Sequence, residues 1–181
     1  MKRKKMNLVV ILSFMLISIF YLIYDKYPAD RHDEKDVLVP VVAVHDGDTV
    51  SVVFNKRQEK VRLIGIDTPE IGQKPWGDKA KKYLETLLSS SEWKVKIEFD
   101  VDRMDKYSRI LAYLRTSDGK LINILMVENG YAMLFTFPPN VKYVNKLRAA
   151  ERAARERRLG IWSEQGIKEK PVDYRKRHPR I

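Results

Sequence analysis

The stretch Asp46-Gly47-Asp48-Thr49-Val50 sets two carboxylates around a glycine at the start of a β-branched run. Glycine permits a tight turn that brings both acids to the mouth of a strand. The same spelling also makes an ordinary Asp-Gly turn. A second stretch, Arg62-Leu63-Ile64-Gly65-Ile66-Asp67-Thr68-Pro69-Glu70, puts Arg62 on one strand face with Ile64 and Ile66. A charge among apolar neighbours is costly unless it is paired or used. Asp67 and Glu70 follow at the strand end, with Pro69 stiffening the turn between them. An ion pair of Arg62 with Glu70 is the structural alternative. The third stretch, Asp105-Lys106-Tyr107-Ser108-Arg109, offers cationic and hydroxyl donors just before another apolar run. Such donors suit a phosphate, and equally an exposed loop.

Composition narrows the chemistry. The 181 residues contain no cysteine, which excludes disulfides, thiolate metal sites and cysteine nucleophiles. The histidines, His32, His45 and His178, are too scattered for a zinc motif, so a metal here needs oxygen ligands. The formal net charge of +11 points to a polyanionic partner or an anionic surface. Its distribution weakens that argument. Lys2, Arg3, Lys4 and Lys5 carry four of the charges, and six basic residues against Glu169 and Asp173 give 165–181 four more, leaving +3 for the rest.

The elements that must position these residues are legible from periodicity. Val37 to His45, Thr49 to Phe54 and Lys60 to Ile66 read as strands, with 55–58 as a hairpin loop. Trp93 to Phe99 and Ile110 to Leu114 are two more. Helical spacing marks Pro75 to Leu88, Asn123 to Asn129 ahead of Gly130, and Val141 to Arg158. On the last helix Val144, Leu147, Ala150 and Ala154 form the inner face, and the basic residues form a solvated one. Trp162 beyond it pins the C-terminal end. The order of elements fits an α+β domain, a five-stranded OB-fold Greek-key barrel with three helices, over 37–164.

Ahead of that domain, residues 1–5 form a basic stub and Met6 to Tyr24 is an uncharged, almost wholly apolar run. At roughly 19 residues it is long enough for a transmembrane signal-anchor helix, with the basic end inside and the remainder extracytoplasmic. A cleaved signal peptide, giving a secreted protein, is the competing reading. Residues 25–36 read as a linker and 165–181 as a basic tail, either a salt-sensitive clamp along nucleic acid or an unstructured solubilising extension.

Taken together, Asp46-Gly47-Asp48-Thr49, Arg62, Asp67-Thr68-Pro69-Glu70, Asp105-Lys106-Tyr107 and Arg109 resemble, in order and spacing, the staphylococcal nuclease (thermonuclease) family. The resemblance runs from about Val41 to the closing Ile161-Trp162-Ser163-Glu164. It implies an OB-fold hydrolase that cuts DNA and RNA phosphodiesters with Ca²⁺ and leaves 3′-phosphorylated products. It further implies that Asp48 and Asp67 give carboxylates to the metal and Thr68 its carbonyl. Glu70 would orient or deprotonate the attacking water, Arg62 and Arg109 would grip the scissile phosphate, and Lys106 and Tyr107 would contact a neighbouring terminal phosphate. These types make physical sense: forked guanidiniums neutralise a phosphate, and a water-rich oxygen shell suits calcium.

The sequence departs from the family pattern in three places. Ser108 stands where glycine is usual, which costs on the order of 1 kcal/mol if the position needs a positive φ. Phe135 and Phe137 stand for two tyrosines of the nucleotide pocket; they keep a stacking face but lose the hydroxyl, unless both are simply core. The basic tail is the third. A catalytically silent OB-fold module that binds nucleic acid or protein, and a nuclease component of DNA uptake, are the competing functions; a silent module has no need of both metal carboxylates and a base.

Overall fold

A computed structural model describes residues 13–18 and 37–179. The chain divides into two units, 1–34 and 35–181. In the first, residues 13–18 are helical, with exposed side chains. The rest of the 6–24 segment, the basic stub and the whole of the 25–36 linker lie outside the described residues. Among the described residues no helix is long and apolar enough to cross a membrane.

The second unit is built on a closed five-stranded barrel. Its strands are β1 (Leu38–Val44), β2 (Thr49–Phe54), β3 (Arg57–Leu63), β5 (Lys94–Glu98) and β6 (Ile110–Arg115), in the order β1-β2-β3-β6-β5 and back to β1. All neighbours are antiparallel except β3 and β6, which run parallel. Closure leaves no free sheet edge, and alternate residues (Val50, Val52, Val61, Leu63, Val95, Ile97, Ala112, Leu114) fill the interior. The β2–β3 hairpin turns at Asn55 and Lys56, both in the left-handed region with φ of 50° and 63°, the twist that a tight hairpin needs.

Helix α1 (Trp76–Ser90) packs Ala80, Leu84 and Leu88 against the barrel. Helix α2 (Ile122–Glu128) stops before Gly130, whose φ of 72° and contact with the Leu159 carbonyl leave no room for a side chain. Helix α3 (Val144–Glu156) buries Leu147, Ala150 and Ala154 and is shorter than the 141–158 periodicity. A 3₁₀ turn (Gly160–Trp162) follows; Ile161 packs with Trp76 and Met133, and the Arg155 guanidinium lies 3.8 Å from the centre of the Trp162 ring.

Two features differ from the sequence reading. The third strand does not run on to Ile66. The chain kinks at Ile64 and Gly65 (φ 80°), leaves the barrel, and forms a separate two-stranded sheet from β4 (Gly65–Asp67) and β7 (Met133–Phe135). The carbonyl of Ile64 at the kink is satisfied by the buried Asn123 side-chain amide at 2.8 Å. Secondly, residues 165–179 are not an unstructured extension. They fold back on the barrel and end in a fourth helix, α4 (Pro171–Arg177), where three helices were expected. Proline at the first helical position, Asp173 in the first turn and Arg175, Lys176 and Arg177 in the last all favour a short helix there.

Candidate active site

The kink after β3 turns Asp67 toward the loop that precedes β2. Asp48, buried in that loop, accepts two hydrogen bonds from Thr68 on one oxygen, from the backbone N–H at 3.0 Å and the hydroxyl at 2.9 Å. Its other oxygen accepts the Thr49 hydroxyl at 3.1 Å. The two acidic motifs are thus stitched together across twenty residues of sequence. Asp46 turns back on the same loop and accepts the Asp48 N–H at 3.1 Å. Burial, then the charge of Asp48, pushes the Asp46 carboxyl up to about 6.

Arg62 bridges the two motifs. Its Nη1 lies 2.8 Å from Asp48 Oδ2 and donates to the Leu63 carbonyl at 2.9 Å. Its Nη2 donates to the Ile66 carbonyl at 3.0 Å and to Asp67 Oδ1 at 3.3 Å. The carbonyls freed by the kink therefore hold the guanidinium in place, and its carboxylate partners in these bonds are Asp48 and Asp67. The charge on the apolar strand is paired, as its surroundings require.

Arg109 lines the same cleft. Asp105 Oδ2 accepts its Nε and Nη2 at 2.7 Å each, and Asp105 Oδ1 accepts its backbone N–H at 3.0 Å. The loop between them passes through Ser108 at φ 59°, so this position does require the left-handed backbone. Tyr107 is exposed, with the Arg109 guanidinium 5.6 Å from its ring centre.

These groups line one open cleft of about 660 Å³. Asp46, Asp48 and Glu70 bring acid to it, Lys60, Arg62 and Arg109 bring positive charge, and Tyr107 and Phe135 bring aromatic faces. Asp67 and Thr68 stand just behind that wall, nearly buried. Lys106 and Phe137 are exposed and do not line the cleft. Neither Phe135 nor Phe137 is core: they are 41% and 75% exposed.

The cleft also holds residues that the motifs did not name. Besides Lys60, the C-terminal helix contributes His178, just past its end, and Arg175. Arg175 Nη1 donates to Asp67 Oδ1 at 2.9 Å and Glu70 Oε1 at 2.8 Å, and its Nη2 to Asp67 Oδ2 at 3.0 Å. Burial works against this charge, but the bonds to Asp67 and Glu70 outweigh it and hold the guanidinium pKa above that of an ordinary arginine. Burial also pushes the Asp67 carboxyl up, against the downward pull of Arg175 and Arg62. Among the described residues no three Asp, Glu or His side chains are gathered as a ready metal cage.

Residues 60–164 match the family described as staphylococcal nuclease homologue, more than half of the chain. The chain belongs to the staphylococcal nuclease family. It is 36% identical to Endonuclease YncB of Bacillus subtilis (strain 168) over 146 residues, 77% of this chain and 68% of that one. It is 30% identical to the Thermonuclease of Staphylococcus intermedius over 169 residues, 90% of this chain and 99% of that one. With the SPbeta prophage-derived endonuclease YokF of Bacillus subtilis (strain 168) identity is 38%, and the match spans 42% of that longer protein. The matched residues take in β5, β6 and the kinked segment that delivers Asp67, whereas β1, β2 and Asp48 lie ahead of them.

Proposed function

We propose that this staphylococcal nuclease homologue is a metal-dependent phosphodiesterase that cuts DNA and RNA, with Ca²⁺ as the ion. The observation that carries the reading is the convergence of Asp48, Asp67 and Glu70 with Arg62 and Arg109 around one cleft, from three separate stretches of chain. The donors fit a hard cation. They are all oxygens, and the Asp67–Glu70 pair already accepts a positive guanidinium between its carboxylates.

In this reading Asp48 and Asp67, with the Thr68 carbonyl and water, would hold the ion. Bound there, it supplies charge neutralisation and Lewis acidity at the phosphoryl group. Arg109 and Arg62 donate to the non-bridging oxygens of the phosphate, and forked donors spread over the charge that builds in the transition state. Glu70 accepts the proton of the attacking water. As the water oxygen bonds to phosphorus the P–O5′ bond breaks, and the 5′ oxygen leaves with a proton from solvent, giving 3′-phosphorylated products. Tyr107 and Lys106 meet a neighbouring phosphate, and Phe135 offers a base a stacking face. The apolar run 6–24 anchors the chain or is removed, and the nuclease unit lies outside the membrane where calcium is plentiful.

Digestion of DNA and RNA with Ca²⁺, Mg²⁺ or EDTA, beside Glu70→Gln, tests this. Cleavage is expected with Ca²⁺ and not in EDTA, and Glu70→Gln is expected to lower kcat by about 10²–10⁴-fold. Full activity in EDTA, or unchanged cutting by the variant, would overturn it.

A further inference from the structure

Arg175 is separated from its partners by more than a hundred residues, yet it makes the geometry that a guanidinium makes best. Its two terminal nitrogens lie on the two oxygens of Asp67, at 2.9 and 3.0 Å, and Nη1 reaches Glu70 as well. With Arg62 also on Asp67 Oδ1, both Asp67 oxygens are occupied. A divalent ion bound to Asp67 beside Glu70 needs the same lone pairs and much the same volume, and two cations at that separation repel strongly. Arg175 and the ion exclude one another.

The tail is held in two parts. Residues 165–169 are fastened to the barrel: Trp76 Nε1 donates to the Gln165 carbonyl at 3.0 Å, Gln73 Nε2 donates to the Glu169 carbonyl at 2.9 Å, and Ile167 packs on the Trp76–Ile161 cluster. Beyond them α4 has seven residues and no side-chain N-cap, too short to persist alone. What seats it is buried Pro171, Arg175 and His178 at the cleft, Tyr174 against Gly72, and the Arg177–Glu169 ion pair within the tail. A Cβ on Gly72 would collide with the Tyr174 hydroxyl, so a glycine at that position admits the helix. Lys176 and Arg177 point to solvent.

We propose that α4 is a built-in competitor for the cation: Arg175 closes the metal-free site on Asp67 and Glu70, and binding of the ion displaces the helix while 165–169 stay fastened. This inference rests on the reading that Asp67 helps to hold a divalent ion. It gives the chain an inactive state that is closed and fully charge-paired, in place of exposed carboxylates facing each other.

Calorimetric titration of the whole chain with Ca²⁺, beside Arg175→Gln and Lys176→Gln, tests it together with amide hydrogen exchange across 165–179. Arg175→Gln is expected to bind Ca²⁺ at least tenfold more tightly. Lys176→Gln removes the same charge without touching Asp67 or Glu70, since its own partner is the exposed Asp173, and is expected to change affinity less than twofold. In the unmodified chain, saturating Ca²⁺ is expected to speed exchange in 171–178 at least tenfold and leave 165–169 protected. If none of the three proteins binds Ca²⁺, the metal reading itself fails. If all bind equally, or Arg175→Gln binds more weakly, or the α4 amides stay protected under Ca²⁺, the ion is accepted beside Arg175 and the competition is refuted while the metal reading stands.

Discussion

Gly47 lies against Thr68 with no room for a methyl group between them. A Cβ on Gly47 would stand 2.9 Å from the Thr68 Cβ and 2.8 Å from that of Ala80. Its φ is not in the left-handed region, so close approach and not backbone freedom demands the glycine. That approach is what lets Asp48 reach the Thr68 N–H and hydroxyl. Gly47→Ala is expected to destabilise the chain by about 1–3 kcal/mol through overpacking. It should also lower activity beyond what the stability loss explains, because the two acidic motifs part. Urea unfolding and kcat on the same preparation check this; an unchanged midpoint with wild-type kcat would contradict it.

Ser108 adopts φ 59°, where an L-residue pays roughly 1–2 kcal/mol and glycine does not. Its N–H bond to the Asp105 carbonyl at 3.1 Å survives replacement by glycine. Ser108→Gly is expected to stabilise the fold by about 0.5–1 kcal/mol, the remainder being absorbed by the greater freedom of glycine in the unfolded chain. Ser108→Val is expected to destabilise it by a similar amount. Thermal or urea denaturation of both variants decides; a destabilised glycine variant would refute the strain.

How much of this was legible depended on whether the cause was local. The five barrel strands announce themselves because each buries alternate residues on its own account. The kink at Ile64–Gly65 does not, because it needs Asn123 to satisfy a carbonyl and β7 to receive three residues of β4. The convergence of Asp48, Arg62 and Asp67 was implied only by the resemblance of the three motifs to a family, and nothing in the sequence told that Arg62 spends bonds on the Leu63 and Ile66 carbonyls. Helix α4 had a local signature, Pro171 followed by an acidic and then a basic turn. Its docking was not readable, because that rests on an ion pair between Arg175 and acids over a hundred residues away.

Asp46 carries a pH signature. Its carboxyl stands near 6 in the folded chain against 3.8 ordinarily, from burial first and Asp48 second. A group whose folded pKa is raised resists folding once ionised: no cost below about pH 4, and a growing one as pH rises through 6. Asn at this position cannot ionise and still offers an oxygen to the Asp48 N–H. In EDTA, Asp46→Asn is expected to be more stable than the unmodified chain by about 1–3 kcal/mol at pH 8, with the advantage gone at pH 4. Urea titrations at the two values check it; an equal gap at both would exclude this origin.

Asp105 is the anchor of Arg109. Replaced by Asn, it keeps an oxygen for the Tyr107 and Arg109 N–H groups at 2.9 and 3.0 Å but loses the charged fork on the guanidinium. The loop should therefore hold while the side chain wanders. Asp105→Asn is expected to lower kcat about tenfold with little change in stability. Arg109→Lys is expected to fall further, because a point charge cannot match two phosphate oxygens. Steady-state rates on single-stranded DNA compare them, and a full-rate Asp105→Asn enzyme would deny Asp105 a positioning role.

Phe135 and Phe137 separate two meanings of an exposed aromatic. Phe135 lines the cleft beside Tyr107 and Arg109 and is half exposed; Phe137, two residues on, lies outside the cleft. A base held in the site can stack on the first and not the second. Because stacking on an aromatic face is worth about 1–3 kcal/mol, Phe135→Ala is expected to weaken binding of a short single-stranded DNA by about 5–150-fold. Phe137→Ala should change it less than twofold, and both variants should stay near wild-type stability because neither ring is core. Fluorescence anisotropy with a labelled oligonucleotide under non-cleaving conditions measures the pair. Equal losses at both positions would mean that the bound strand leaves the cleft along β7, past Phe137, and not across the face that Tyr107 and Phe135 share.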